Sequence, residues 1–217
     1  MPERSAEMNG LRQAILRGLH SDLEDVRLSN RWTAGGYKDE PRDPPIPVRP
    51  SEDLSKAGVL VPIIEYDSEL TILMTRRTDD MPSHAGEIVF PGGGTQPGDQ
   101  SVVHTALRET EEEIGLERRF VDVVGFLDSY PTASGYLMQP VVGFVHPGFD
   151  IEPCSREVAD VFEVPLGFVL EAKNYGHYSG DLGYGHMSSI LSIRYEDHLI
   201  WGATAAILRN LRDVAQG

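Results

Sequence analysis

Apolar and polar positions along this chain follow two rhythms, one repeating every second residue and one repeating about every 3.6 residues. Residues 59–66 (VLVPIIEY) and 70–77 (LTILMTRR) are β-rich runs separated by three polar positions, which predicts two strands joined by a tight turn. A shorter run at 87–90 (EIVF) predicts a strand leading into Pro91 and three glycines. Residues 121–130 and 136–145 read as strands around a PTASG loop, and 158–166 as one further short element. The helical rhythm takes over between them, where Val103, Ala106, Leu107, Thr110 and Ile114 share one face. Asp99 or Ser101 can cap the start of that helix, and Gly115 is placed to end it in a left-handed conformation. A final helix is predicted over 204–215 and a weaker amphipathic one over 7–20, where Leu11, Ile15 and Leu19 form a stripe interrupted by Gly10 and Gly18.

Residues 21–55 are polar and rich in proline, and RDPPIPVRP at 42–50 cannot sustain a helix or a central strand. The pattern therefore divides the chain into an N-terminal helix and proline-rich arm, 1–50, and one domain, 51–217. The arm is expected to wrap the core or a partner in a homodimer. With 217 residues there is room for one sizeable core. A net charge of -15 disfavours nucleic acid and anionic membrane as partners. Cys154 is the single cysteine, so no intramolecular disulfide can form, and no neighbouring pattern activates it as a nucleophile. No apolar segment has the length of a signal core or a membrane span, and a cytoplasmic protein is expected. Residues 171–187, rich in Gly, Tyr and His, are expected to form a surface loop. His177 and His186 lack the compact spacing of a zinc site.

The predicted helix after the glycines carries the candidate chemistry. Rotation by about 100° per residue gathers Glu109, Glu112 and Glu113 in one arc beside the apolar stripe. Such like-charge neighbours cost roughly 0.2–0.5 kcal/mol per pair, and the macrodipole disfavours anions in this half of the helix. Arg108 alone is placed to offset three acids. A hard divalent ion answers the arrangement better, because Mg²⁺ prefers carboxylate oxygens and is often shared with substrate phosphates. The backbone of Gly92, Gly93 and Gly94 can approach a diphosphate closely. Arg76 and Arg77, at the end of a strand, point to opposite faces, so at most one enters such a site; arginine suits phosphate through paired hydrogen bonds.

At these residues the chain resembles the Nudix hydrolases. Gly94, Arg108, Glu109, Glu112, Glu113, Gly115 and Leu116 match that family's box in register, while Thr110 replaces an aliphatic residue. The box's first glutamate falls on Gln100, with Asp99 just before it. A narrower resemblance, to the coenzyme A pyrophosphatase branch, rests on Met74, Thr75, Arg77, Gly86, Phe90, Pro91, Gly92 and Gly93, with Thr78 and Pro82 departing from a Ser or Ala and from an arginine. Gly135, Tyr136, Pro140, Val141, Val142 and Gly143, then Glu157, Val158, Phe162, Val164, Pro165 and Leu166, then Ile200, Trp201, Gly202 and Thr204 extend it.

The resemblance, which does not cover the N-terminal arm, implies an α/β fold, an α/β/α sandwich with a mixed sheet. It implies a diphosphohydrolase in which Glu109, Glu112 and Glu113 hold Mg²⁺ or Mn²⁺ and Arg108 orients one carboxylate. A box glutamate or Glu157 would serve as base. Arg76, Arg77, Gly92, Gly93 and Gly94 would hold a small diphosphate substrate. In that branch the substrate is coenzyme A, cleaved to 4'-phosphopantetheine and adenosine 3',5'-bisphosphate, and tyrosines of 171–187 could stack on its adenine or cover its pantetheine. Pro82 favours the alternative of ADP-ribose or a nucleoside-diphosphate sugar. A Nudix-fold ligand sensor without catalysis is the alternative of another class, against which the three intact glutamates count.

Overall fold

The computed structural model describes residues 2–23, 53–132, 134–181 and 187–217, with a short antiparallel pairing of Trp32–Thr33 and Gly36–Tyr37. The proline-rich stretch 42–50 and His186 lie outside the described residues.

The strand runs predicted from alternation form the centre of the molecule. β1 (Ser55–Glu65) is buried on both faces over most of its length, as expected of a strand covered on two sides. The other elements of the main sheet are β2 (Leu70–Arg77), β3 (Ile88–Val89), β4 (Gly92–Gly94), β5 (Val121–Phe126), β6 (Tyr130–Pro131), β7 (Tyr136–Val145) and β8 (Val158–Pro165). Its backbone order is β8-β2-β1-β7-β5. β1 and β7 run parallel and the other pairs antiparallel, so the sheet is mixed.

One irregularity makes the site. β1 pairs with β2 only from Ile63↔Ile72 to Glu65↔Leu70, and its first half pairs instead with the glycine strand β4, from Ala57↔Gly94 to Val59↔Gly92. The far half of β2 pairs with β3, through Thr75↔Val89 and Arg76↔Ile88. The chain between β3 and β4 thus opens a wedge between β1 and β2, and the glycines lie inside the sheet.

Helix α2 (Val102–Ile114) covers one face, packing Ala106 and Ile114 on Leu60, Ile64, Leu73 and Val141. Ser101 caps it by accepting the His104 N–H at 3.2 Å, and Gly115 ends it at φ 73°. The opposite face is covered by α1 (Pro2–Gly18) and α4 (Gly202–Gln216), whose Ile15, Ile207, Leu208 and Leu211 pack on Val61, Ile63, Ile72 and Met74. This is the α/β/α sandwich with a mixed sheet. Ile15 is fully buried, a contribution of roughly 1.5–3 kcal/mol, so the first helix is a layer of the core.

The structure corrects the reading of residues 171–187. Tyr175–Asp181 (β9), Met187–Tyr195 (β10) and His198–Trp201 (β11) form a second antiparallel sheet after the short helix α3 (Leu166–Leu170). Its inner face buries Leu191, Ile193 and Ile200 in the same core as α4, and this burial overrides the weak strand preference of the glycine-rich sequence.

Candidate active site

The glycine strand and α2 meet face to face. The Gly92 N–H donates to Glu113 Oε2 at 3.0 Å. A Cβ at Gly93 would lie 2.7 Å from Glu109 Cδ, so the missing side chain is what admits that carboxylate. Glu109 and Glu113 thus both converge on the turn. Glu112, one step around the helix, has a side chain 59% exposed and accepts from Arg108 Nη1 at 2.9 Å.

Arg108 also reaches Glu109 Oε1 at 2.9 Å, and its Nε and Nη2 both donate to Asp99 at 3.0 Å. Ser101, not Asp99, is therefore the helix cap. Gly94 lies at the end of the glycine strand, beside the ring of Tyr136.

Glu157 arrives from the other side of the chain. The last carbonyls of α2, left without helical partners, accept the Glu152 N–H (Ile114 O, 2.9 Å) and the Cys154 N–H (Glu113 O, 2.8 Å). The Thr78 N–H then donates to the Glu157 carbonyl at 3.0 Å. Glu157 is thereby near enough to raise the pKa of both Glu109 and Glu113. Cys154 acts through its backbone.

The two strand-end arginines separate as alternation requires. Arg76 turns to the α4 side and pairs with Asp79 at 3.1 Å. Arg77 shares the α2 side, where its charge opposes the rise in the Glu113 pKa, and its Nε is buried without a hydrogen-bond partner among the described residues. Of the pair, only Arg77 faces the glutamates.

Burial pushes the Glu113 carboxyl up to about 7, with Glu109 and Glu157 adding to the rise and the Gly92 N–H and Arg77 opposing it. Burial likewise raises Glu109. An acid whose pKa is higher folded than unfolded takes up a proton on folding. Its contribution to stability is present below its ordinary 4.5 and is lost as pH rises through about 7. The metal-free protein is therefore expected to lose melting temperature between about pH 5 and 7.5, by up to about 3 kcal/mol in stability. Glu113→Gln should flatten that slope; a variant with the parent's slope would refute the burial argument.

The donor set suits Mg²⁺ or Mn²⁺, being carboxylates beside a backbone cradle. Among the described residues no three acidic, histidine or cysteine side chains already converge on one point, and Glu112 is engaged by Arg108. An exposed pair of this kind is worth only about 0.3–0.5 kcal/mol, so Glu112 is released at little cost.

Residues 54–174 match the family model described as the NUDIX domain. The chain is 41% identical over 173 residues to a Photorhabdus laumondii protein described as "Uncharacterized Nudix hydrolase NudL", covering 80% of this chain and 91% of that one. A Yersinia pestis protein of the same description is 42% identical over 159 residues, or 72% and 77% of the two chains. A crystal structure of a C. elegans Ap4A hydrolase binary complex superposes with a TM-score of 0.45 at 18% identity, covering 51% of this chain and 80% of that one.

Proposed function

Because the chain belongs to the Nudix hydrolase family, we propose that it hydrolyses the diphosphate linkage of coenzyme A or an acyl-coenzyme A, giving (acyl-)4'-phosphopantetheine and adenosine 3',5'-bisphosphate. The reaction rests on one observation, the convergence of Glu109 and Glu113 on the backbone of Gly92 and Gly93. The substrate rests on the signature residues around Arg77 and Gly86, with the charge of Arg77 felt at Glu113.

Glu109, Glu112 and Glu113 would hold Mg²⁺ or Mn²⁺, and Arg108 orients Glu109. When bound, the ions neutralise charge on the phosphoryl oxygens and acidify a water. Water attacks one phosphorus, the bridging P–O bond breaks, and the departing phosphate keeps the electron pair. The proton released by the water passes to a carboxylate, Glu157 or a box glutamate. Arg77, whose charge is felt at Glu113, holds a phosphate oxygen and balances the negative site.

Arg77→Ala is expected to raise KM about 10–100-fold with a smaller change in kcat, whereas Arg76→Ala, on the other face, changes both less than threefold. Steady-state kinetics at saturating Mg²⁺ would check this, and equal effects of the two substitutions would remove Arg77 from the site.

ADP-ribose or a nucleoside-diphosphate sugar is the second reading. Pro82, exposed in the loop between β2 and β3, offers no charge where the branch has an arginine. The deciding experiment is a hydrolysis screen with Mg²⁺ and with Mn²⁺ over coenzyme A, acyl-coenzyme A, ADP-ribose, NADH and dinucleoside polyphosphates, with products resolved. Coenzyme A turned over fastest, to the two products named, supports the proposal. A preference for ADP-ribose moves it to the second reading.

A further inference from the structure

The motif register puts its upstream acid at position 100, yet Gln100 is exposed and the acid that touches the box lies one residue earlier. We infer that Asp99 is a positioning residue for the box carboxylates, acting on Glu109 and Glu112 through Arg108 without itself touching substrate or ion. The inference rests on the metal-dependent reading proposed above.

Asp99 is built to hold something still. Its side chain is 2% exposed and accepts the Gln96 N–H (2.9 Å), the Thr105 hydroxyl (2.9 Å) and both Nε and Nη2 of Arg108, with His104 Nδ1 at 3.1 Å. A guanidinium is planar and rigid, so fixing two of its donors fixes the direction of the rest. The remaining donors point at Glu112 and Glu109. Asp99 thereby sets where Glu109 can sit, and from where Arg108 holds Glu112 before an ion binds.

It also sets how strongly Arg108 competes for them. Three carboxylates share one guanidinium, and the pair with the nearly buried Asp99 takes the largest part of its hydrogen-bonding capacity. Arg108 already meets Glu109 Oε1 and Glu112 Oε2 at 2.9 Å, and without the Asp99 pair nothing would hold the guanidinium back from following those oxygens to the place of a divalent cation. Loss of such support around metal ligands costs about 10–100-fold in metal affinity.

The test is Mn²⁺ binding to the full chain, read from the free-ion electron paramagnetic resonance signal, with melting temperature measured in parallel. Asp99→Asn is expected to weaken Mn²⁺ binding by about 10–100-fold, and Gln100→Ala to leave it unchanged. Thr105→Val removes a hydrogen bond to Asp99 without touching Arg108, so it should lower the melting temperature and spare Mn²⁺ affinity. Arg108→Lys, which keeps the charge and loses the paired geometry, should reproduce the weakening and stands in if Asp99→Asn fails to fold. Asp99→Asn binding Mn²⁺ within twofold of the parent, or Thr105→Val weakening it equally, overturns the inference while the metal-dependent reading stands. A parent protein that binds no Mn²⁺ overturns both.

Discussion

Glu113→Gln is expected to lower kcat about a thousandfold, equivalent to roughly 4 kcal/mol of lost transition-state stabilisation, while leaving the protein folded. The amide is nearly isosteric and keeps an oxygen for the Gly92 N–H, so the local geometry survives. What disappears is the negative charge, and with it one hard oxygen donor at the turn. The same substitution removes a buried ionisable group whose charged form the fold disfavours, so metal-free stability at neutral pH should hold or rise. Opposite signs for activity and stability separate this outcome from simple unfolding. A variant that keeps parental turnover would remove Glu113 from the chemistry.

Gly93→Ala is the second large effect. The new Cβ would lie 2.7 Å from Glu109 Cδ and within 2.9 Å of both carboxylate oxygens, closer than real Cβ contacts allow. The clashing atoms are the far end of a flexible side chain, so the fold relieves the contact by turning the carboxylate aside. Little stability should be lost and most activity should be, by about a hundredfold or more. Calorimetry and Mg²⁺-dependent turnover on the same preparation would check it. A large fall in melting temperature with activity per folded molecule unchanged would show that Gly93 serves packing alone.

Much of this site was legible in residue order because its main pieces are local. The helix carries its own periodicity, its Ser101 cap and its Gly115 stop, and the spacing of Glu109, Glu112 and Glu113 is fixed by helical geometry wherever the helix sits. The strands at 70–77 and 136–145 formed over the residues their alternation marks. Strand alternation also foretold that Arg76 and Arg77 would part, but not which one would turn toward α2, since that depends on the face the helix chooses.

The parts that local pattern left open depend on distant contacts. The splitting of β1 between β2 and the glycine strand is a pairing over tens of residues, and no local preference encodes it. The sheet at 175–201 forms because Leu191, Ile193 and Ile200 find a core beneath them. The choice of cap was left open between Asp99 and Ser101 for a different reason. Two short acceptors, Asp99 and Ser101, precede the helix, and only the path of the loop decides that Ser101 caps it while Asp99 folds back onto Arg108. The offset of the acid by one position is visible in the sequence, but its pairing with Arg108 is visible only in three dimensions.

The account stands on Glu109, Glu112 and Glu113 gathering divalent ions against the glycine turn. Crystals grown with Mn²⁺ and a non-hydrolysable diphosphate analogue, measured at the manganese absorption edge, test that directly. The expected result is anomalous density between these carboxylates and the analogue's phosphates, with Glu112 released from Arg108. Anomalous density elsewhere, with the three glutamates unchanged, would contradict it.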